Sequence, residues 1–210
     1  MAITTYAELQ TGVLNWLNRS GDTDATTRAP EWISLAEDEI KVALGASPLR
    51  QGETKDAAFS VSAEYVALPS GFLRARNFII QGSPNVELDF TAPNVADRNA
   101  NPVNGKPKKY TIQGNQLRFI PPPDATYTGT FSYQALPVLS VSNTTNWLLT
   151  AHPKIYLYAA LAEAAAYYQD VAGYTGYSTV WNNLFSASFT ADGPSAAGSV
   201  MRMQTDMGHP

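Results

Sequence analysis

The junction at Pro153 constrains the fold of this chain more than any other feature. It separates short β-prone runs from an alanine-rich segment whose apolar residues recur at three- and four-residue spacing. A first helical turn tolerates proline, because the N–H groups of that turn have no intrahelical partners. We therefore expect a helix to begin at Pro153, and its small residues predict close packing against other helices or other subunits.

Capping signals and periodicity predict two helices near the amino terminus. Thr5 and Glu8 have the spacing of a capping box, so the first helix should run from there to about Asn18. A second helix is predicted from Pro30 to Gly45, and glycine is suited to end it. Residues 22–28 are typical of a solvated turn between the two.

The fourth predicted helix follows a glycine-rich turn near the carboxyl terminus. Apolar residues share one side between Tyr177 and Phe189, and Gly173 and Gly176 are expected to form the turn before it. Residues 195–210 contain Met201, Met203 and Met207 and show no helical face. This tail should be extended and ordered only by a partner.

Between about residues 56 and 140 the sequence favours strands. Runs of β-branched and aromatic residues alternate with proline and glycine. The clearest hairpin joins residues 109–112 to 117–120 through Gly114, which accepts the positive φ of a tight turn. The prolines at 121–123 should stop the second strand, because they cannot donate to a ladder. Further strands are predicted at 72–81, 86–90 and 127–136. Strand residues are also predicted before Pro69, at Phe59 and Val61 and then at Tyr65, Val66 and Leu68.

These elements predict an α+β fold. We expect an antiparallel α-helical bundle of two N-terminal and two C-terminal helices, an inserted antiparallel β module and an extended C-terminal tail. The predicted domains are residues 1–52 with 141–190 for the bundle, 53–140 for the β module and 191–210 for the tail.

Composition excludes several classes of protein. The chain has 210 residues, a net charge of −4 and a pI of about 5.1, so tight binding to nucleic acid or an anionic membrane is not expected. It has no cysteine, which excludes disulfides and thiolate metal sites. We expect no secretory signal, because the start lacks a basic segment followed by an apolar core. We also expect no membrane-spanning helix, because no apolar run approaches about 18 residues.

No enzymatic constellation is visible in the sequence. His152 and His209 are the chain's two histidines, and neither has the context of a catalytic base. The carboxylates at 37–39 are typical of a solvated helix face, with an ion pair between Glu37 and Lys41. There is no Walker loop, dinucleotide-binding glycine pattern or histidine pair at metal spacing. We predict a protein that is not an enzyme and holds no cofactor or metal.

Several segments together resemble the head-to-tail adaptor proteins of tailed bacteriophages. The likeness lies in the order and spacing of packing and turn patterns, and it covers roughly residues 4 to 185. The segments that carry it are residues 5–9, 16–19, 33–40, 68–73, 106–112 and 146–149, followed by Pro153 and residues 156–161.

The resemblance implies a structural virion protein at the head-tail junction, made in the cytoplasm of the host bacterium. It would form a ring of identical subunits, about twelve in number, that binds the portal protein and connects it to a tail or nozzle protein. Double-stranded DNA would pass through the channel without specific binding, and no membrane would be involved.

Three sets of residues are candidates for contacts in such an assembly. Helix packing and ring contact are assigned to Trp147, Tyr156, Tyr158, Ala160 and Ala164. Portal or neighbour contact is assigned to Ser195, Val200, Met201, Arg202, Met203 and Met207. A basic loop comprises Lys106, Lys108 and Lys109, which could touch DNA phosphate or an acidic partner.

The alternative from another class is a carbohydrate- or host-receptor-binding module of a phage particle. The chain has 11 tyrosines and 4 tryptophans, which could line a binding face. This alternative predicts exposed tyrosines clustered in one concave patch of the β module.

Overall fold

The computed structural model describes residues 2–46, 52–98 and 103–190. They separate into two compact units. The described parts of Met1–Gln51 and Val138–Pro210 form a helical unit, and those of Gly52–Pro137 form a β unit. That these units are independent domains with the predicted boundaries stays a prediction, and the predicted tail at 191–210 lies outside the described residues.

Six helices and seven strands are present in the described ranges. The helices are α1 Tyr6–Trp16, α2 Thr23–Ala46, α3 Pro93–Arg98, α4 Trp147–Ala151, α5 Pro153–Tyr167 and α6 Val171–Thr190. The strands are β1 Glu53–Val61, β2 Tyr65–Ala67, β3 Phe72–Ile80, β4 Val86–Phe90, β5 Lys109–Gln113, β6 Gln116–Ile120 and β7 Tyr127–Ala135. Helix α3 belongs to the β unit, and the other five helices belong to the helical unit.

The predicted capping box at the start of α1 is confirmed. Thr5 Oγ1 accepts a hydrogen bond from the N–H of Glu8 at 3.3 Å, and the Glu8 carboxylate accepts one from the N–H of Thr5 at 3.0 Å. Leu9 and Val13 are fully buried, but Trp16 is 54% exposed. The buried face of α1 therefore stops short of its last turn.

Both long helices begin earlier than predicted, because an aspartate caps each of them. Asp22 accepts hydrogen bonds from two backbone N–H groups of the first turn of α2, at 3.0 and 3.2 Å, which places Pro30 inside the helix. Asp170 accepts one from the N–H of Gly173 at 2.9 Å, so α6 starts well before Tyr177. The predicted turn at residues 22–28 is wrong.

The predicted helix start at Pro153 is confirmed. Pro153 occupies the first turn of α5. His152 has φ −136° and ψ 59° and separates α5 from α4, because a residue before proline disfavours the helical region. Ala159, Ala160 and Ala164 are fully buried, so the small side chains of α5 let neighbouring helices of the same unit approach closely.

The β unit is a single curled sheet that forms a half-barrel. Its strand order is β1-β7-β3-β4-β5-β6-β2. The predicted hairpin of β5 and β6 is confirmed, with Tyr110 opposite Phe119, and β6 ends at Ile120 before the prolines. Phe78 is fully buried among aromatic rings, with centroids 5.2 Å from Phe119 and 5.3 Å from Phe131.

The prediction of an antiparallel helical bundle with an inserted antiparallel β module is wrong. The fold is α+β, but it is strand-rich and has six helices among its described residues, where four were predicted. The sheet is mixed, because β4 and β5 pair in parallel through Asp89 opposite Lys109 and Phe90 opposite Tyr110. The connection between them contains α3 and is long enough to return the chain to the same end of the sheet, which parallel pairing requires.

Candidate interaction site

A network of buried polar groups joins α2, the segment before α4, and α5. Glu37 Oε1 accepts hydrogen bonds from the N–H of Leu139 at 2.9 Å and from the hydroxyl of Tyr156 at 3.2 Å. Asn146 Nδ2 donates to the Tyr156 oxygen at 2.7 Å, and Asn146 Oδ1 accepts from the N–H of Leu149 at 2.9 Å, which caps α4. We call these groups the Glu37 network.

The Glu37 network contains a carboxylate that was predicted from the sequence to be exposed to solvent. The predicted solvated face is confirmed for Asp38 and Glu39, which are exposed, but it is wrong for Glu37, which is 1% exposed. The predicted ion pair between Glu37 and Lys41 is also wrong, since Lys41 pairs with Asp38 at 2.9 Å. Burial raises the pKa of Glu37 above its usual range, although the hydrogen bonds from Leu139 and Tyr156 and the charge of Lys41 oppose the shift.

The same burial acts on the tyrosine of the network. It raises the pKa of Tyr156, and the neighbouring Glu37 charge adds to the shift. The Tyr156 hydroxyl therefore keeps its proton and donates a hydrogen bond to Glu37 Oε1. The network therefore holds three chain segments in one geometry.

An apolar groove of about 400 Å³ lies beside α1 and α5 in the helical unit. Its walls include Ile3, Trp16, Leu157 and Tyr158, with Pro153 and Lys154 at the start of α5. The Trp16 ring packs edge-on against Tyr158 with centroids 5.5 Å apart. We call this feature the Trp16 groove. Its lining can bind apolar side chains, with one cation at its rim.

The structure separates the residues predicted for helix packing and ring contact. Tyr156, Ala160 and Ala164 are fully buried in the chain's own helical unit. Trp147 and Tyr158 are half-buried, and Tyr158 lines the Trp16 groove. Of this set, Trp147 and Tyr158 are therefore accessible to a neighbouring molecule, and Tyr158 contacts the exposed Trp16, which is not among the predicted contact residues. Ring contact itself stays a prediction.

The other two predicted sets have different outcomes. Ser195, Val200, Met201, Arg202, Met203 and Met207 lie outside the described residues. Lys106 and Lys108 are exposed, and Lys109 is half-buried where β5 pairs with β4. The basic residues thus share one short segment of the β unit, and their role in binding stays a prediction.

The β unit has an open groove of about 520 Å³. Phe72, Arg74, Arg76, Phe90 and Tyr110 line it, and Phe90 is 58% exposed. Tyr110 is the one tyrosine in this lining and is 2% exposed. The described part of this groove therefore lacks the cluster of exposed tyrosines that a carbohydrate-binding module would need.

Two further observations concern metal sites and membrane-spanning helices in the described ranges. In residues 2–46, 52–98 and 103–190, no group of three or more histidine, aspartate or glutamate side chains is arranged to bind a metal ion. Within these ranges no helix combines the length and the apolar character needed to cross a lipid bilayer.

Comparison with known families identifies the kind of protein. The SU10 adaptor protein family matches residues 4–204, nearly the whole chain, and the chain therefore belongs to this family. The resemblance to phage head-to-tail adaptors is confirmed. The chain is accordingly a phage adaptor protein, a structural component of the virion that interacts with other head or tail components. No curated protein gives a significant match.

Proposed function

We propose that this member of the SU10 adaptor protein family forms a ring of about twelve copies at the head-tail junction. The ring binds the portal protein on one side and the tail or nozzle protein on the other, and it leaves a channel for double-stranded DNA. The observation that carries the proposal is the family match over residues 4–204.

The charge of the chain supports passage of DNA without retention. Each chain carries −4, so a ring of about twelve would carry about −48. This charge repels phosphate over about 8 to 10 Å at physiological salt and is screened beyond that range. DNA would therefore move through the channel without being held by its wall.

Distinct surfaces would serve the different contacts. The half-buried Trp147 and Tyr158 are available to a neighbouring subunit, whereas Tyr156, Ala160 and Ala164 would act indirectly by setting the packing of α5. The tail residues from Ser195 to Met207 would bind the portal. Lys106, Lys108 and Lys109 would face an acidic partner or DNA phosphate.

The mass of the purified protein in solution, alone and mixed with the portal ring of the same particle, tests this proposal. We expect a free monomer that adds to the portal in about twelve copies. A chain that stays monomeric and does not bind the portal would refute the proposal and favour the receptor-binding alternative.

A pair of tail variants tests the assigned portal contact. Deletion of residues 195–210 should leave the far-ultraviolet circular dichroism unchanged and abolish attachment to the portal. The matched variant keeps the tail length and replaces Met201, Met203 and Met207 with serine. Loss of attachment in both variants would assign binding to the methionines, and unchanged attachment of the deletion variant would contradict the assignment.

A further inference from the structure

The Trp16 groove presents an unfilled apolar surface close to where the described chain ends. Trp16 is 54% exposed in it, an unusual position for a large aromatic side chain that already packs against Tyr158. Lys154 is exposed at the rim, and no carboxylate in the described ranges forms an ion pair with it. The groove therefore suits an apolar segment that also carries an acidic residue.

The end of α6 lies next to this groove. Ser188 Oγ is 3.5 Å from Nδ1 of His152, the residue before Pro153, which lines the groove. A smaller cleft of about 220 Å³ is bounded by Leu184 and Ser188 of α6 and shares Pro153 and Lys154 with the groove. The last turns of α6 and the Trp16 groove are thus both next to the segment that contains Pro153 and Lys154.

The sequence after α6 has the chemistry that this groove accepts. Met201 and Met203 alternate with polar residues, so an extended backbone places both thioethers on one face. Methionine sulfur makes favourable contacts with the edges of aromatic rings such as those of Trp16 and Tyr158. Asp206 supplies a carboxylate for Lys154.

The connecting chain is long enough. Ten residues lie between Thr190 and Met201, and the eleven residue-to-residue steps of an extended chain span about 36 to 40 Å. This greatly exceeds the short distance implied by the contact of Ser188 with His152. A chain of this length can therefore reach the groove of its own molecule.

We propose that residues 200–207 of the free protein dock in the Trp16 groove of the same chain. Met201 and Met203 contact the Trp16 and Tyr158 rings, and Asp206 pairs with Lys154. Tethering by a short linker gives an effective concentration of about 1 mM, so at about 10 µM protein the chain's own tail outcompetes the tail of another copy roughly 100-fold. This docking does not depend on the proposed portal binding, and the portal would have to displace the segment in order to bind it.

The absence of cysteine makes disulfide trapping a direct test. Thr150 lines the groove and is exposed, and Thr205 is on the same face of an extended backbone as Met201 and Met203. The full-length double variant Thr150→Cys with Thr205→Cys should form an intramolecular disulfide in a monomer under mild oxidation. The matched control is Val42→Cys with Thr205→Cys, since Val42 is 76% exposed on α2 and does not line the groove.

The possible results distinguish docking of the chain's own tail from docking of the tail of a second copy. An intramolecular disulfide that forms at least about tenfold faster than in the control supports the proposal. A covalent dimer would overturn it in favour of the tail of a second copy. A rate equal to that of the control would overturn the groove as the docking site.

A second measurement does not depend on the engineered cysteines. Methyl spectra of the methionine-labelled wild-type chain should show the Met201 and Met203 signals shifted upfield by the aromatic rings. Trp16→Ala should return them to the positions of an unfolded peptide, and Leu35→Ala, which removes another exposed apolar side chain from α2, should not. Unshifted wild-type signals would contradict the docking.

Discussion

Replacing Glu37 with glutamine isolates the cost of burying its charge. Glu37 is 1% exposed and accepts hydrogen bonds from the N–H of Leu139 and the hydroxyl of Tyr156. Glutamine keeps a carbonyl oxygen for both donors and removes the charge. We expect the free energy of unfolding of Glu37→Gln at pH 7 to lie within about 1 kcal/mol of wild type, whereas Glu37→Ala leaves both donors unpaired and costs about 2 to 4 kcal/mol.

The pH dependence gives the sharper part of this prediction. Burial raises the folded-state pKa of Glu37 above its ordinary value of 4.5, so the folded protein binds the proton more tightly than the unfolded chain. The free energy of unfolding therefore decreases as pH rises from the ordinary value through the folded-state pKa, by at most about 1.4 kcal/mol per pH unit for one group. Above the folded-state pKa, the contribution of Glu37 to the free energy of unfolding no longer changes with pH. The glutamine variant lacks this pH-dependent contribution.

Urea denaturation followed by circular dichroism between about pH 4 and pH 8 measures the difference. The difference in the free energy of unfolding between Glu37→Gln and wild type should increase with rising pH, so that the variant becomes more stable relative to wild type, and should then level off. Glu31→Gln is the matched control, because Glu31 is an exposed carboxylate on the same helix with an i,i+3 ion pair to Arg28. Parallel pH profiles for wild type and Glu37→Gln would refute the reasoning.

Three further substitutions test local features by urea denaturation. Asn146→Ala removes the cap of α4 and a hydrogen bond to Tyr156, and should cost about 1 to 3 kcal/mol; a cost near zero would show that the Glu37 network contributes little. Gly129→Ala places a Cβ atom 2.4 Å from the buried Phe78 ring and should cost about 1 to 3 kcal/mol, whereas Gly21→Ala meets no atom within 4 Å and should change stability by less than about 1 kcal/mol. Equal effects would contradict the packing argument. Thr5→Ala should cost about 1 kcal/mol, and Thr5→Ser should recover most of it if the capping box is responsible.

Local signals in the sequence predicted the positions of most helices and strands. They failed where contacts between residues far apart in the sequence determine the structure. The Thr5 capping box, the proline at the start of α5 and the glycine turn between β5 and β6 each depend on neighbouring residues, and the structure has all three. The parallel pairing of β4 with β5 depends on how the chain returns after α3, which no local pattern specifies. The start of α2 was missed because Pro30 was given more weight than the aspartate cap at Asp22.

The Glu37 network shows the same limit within one helix. Glu37, Asp38 and Glu39 form a charged run, which usually faces solvent. Glu37 nevertheless lies four residues after Ile33 and three before Ile40, both fully buried or nearly so. That spacing was the available signal for its burial. Its partners Leu139 and Tyr156 are about a hundred residues away along the chain, so the sequence could not indicate what would satisfy the carboxylate.

The pairing of β1 with β7 has a consequence for the order of folding. Glu53 lies opposite Gln134, so the first and last strands of the β unit are neighbours. Closing a loop of about 80 residues costs about 4 kcal/mol of chain entropy, which must be spent before the pairing gains any stability. Once it is closed, the segment that carries Glu37 and the segment that carries Tyr156 are joined by a much shorter path. We expect β1 and β7 to associate in the slow step and α5 to dock against α2 afterwards. Formation of the sheet would then make it easier for the two helices that flank it in the sequence to meet.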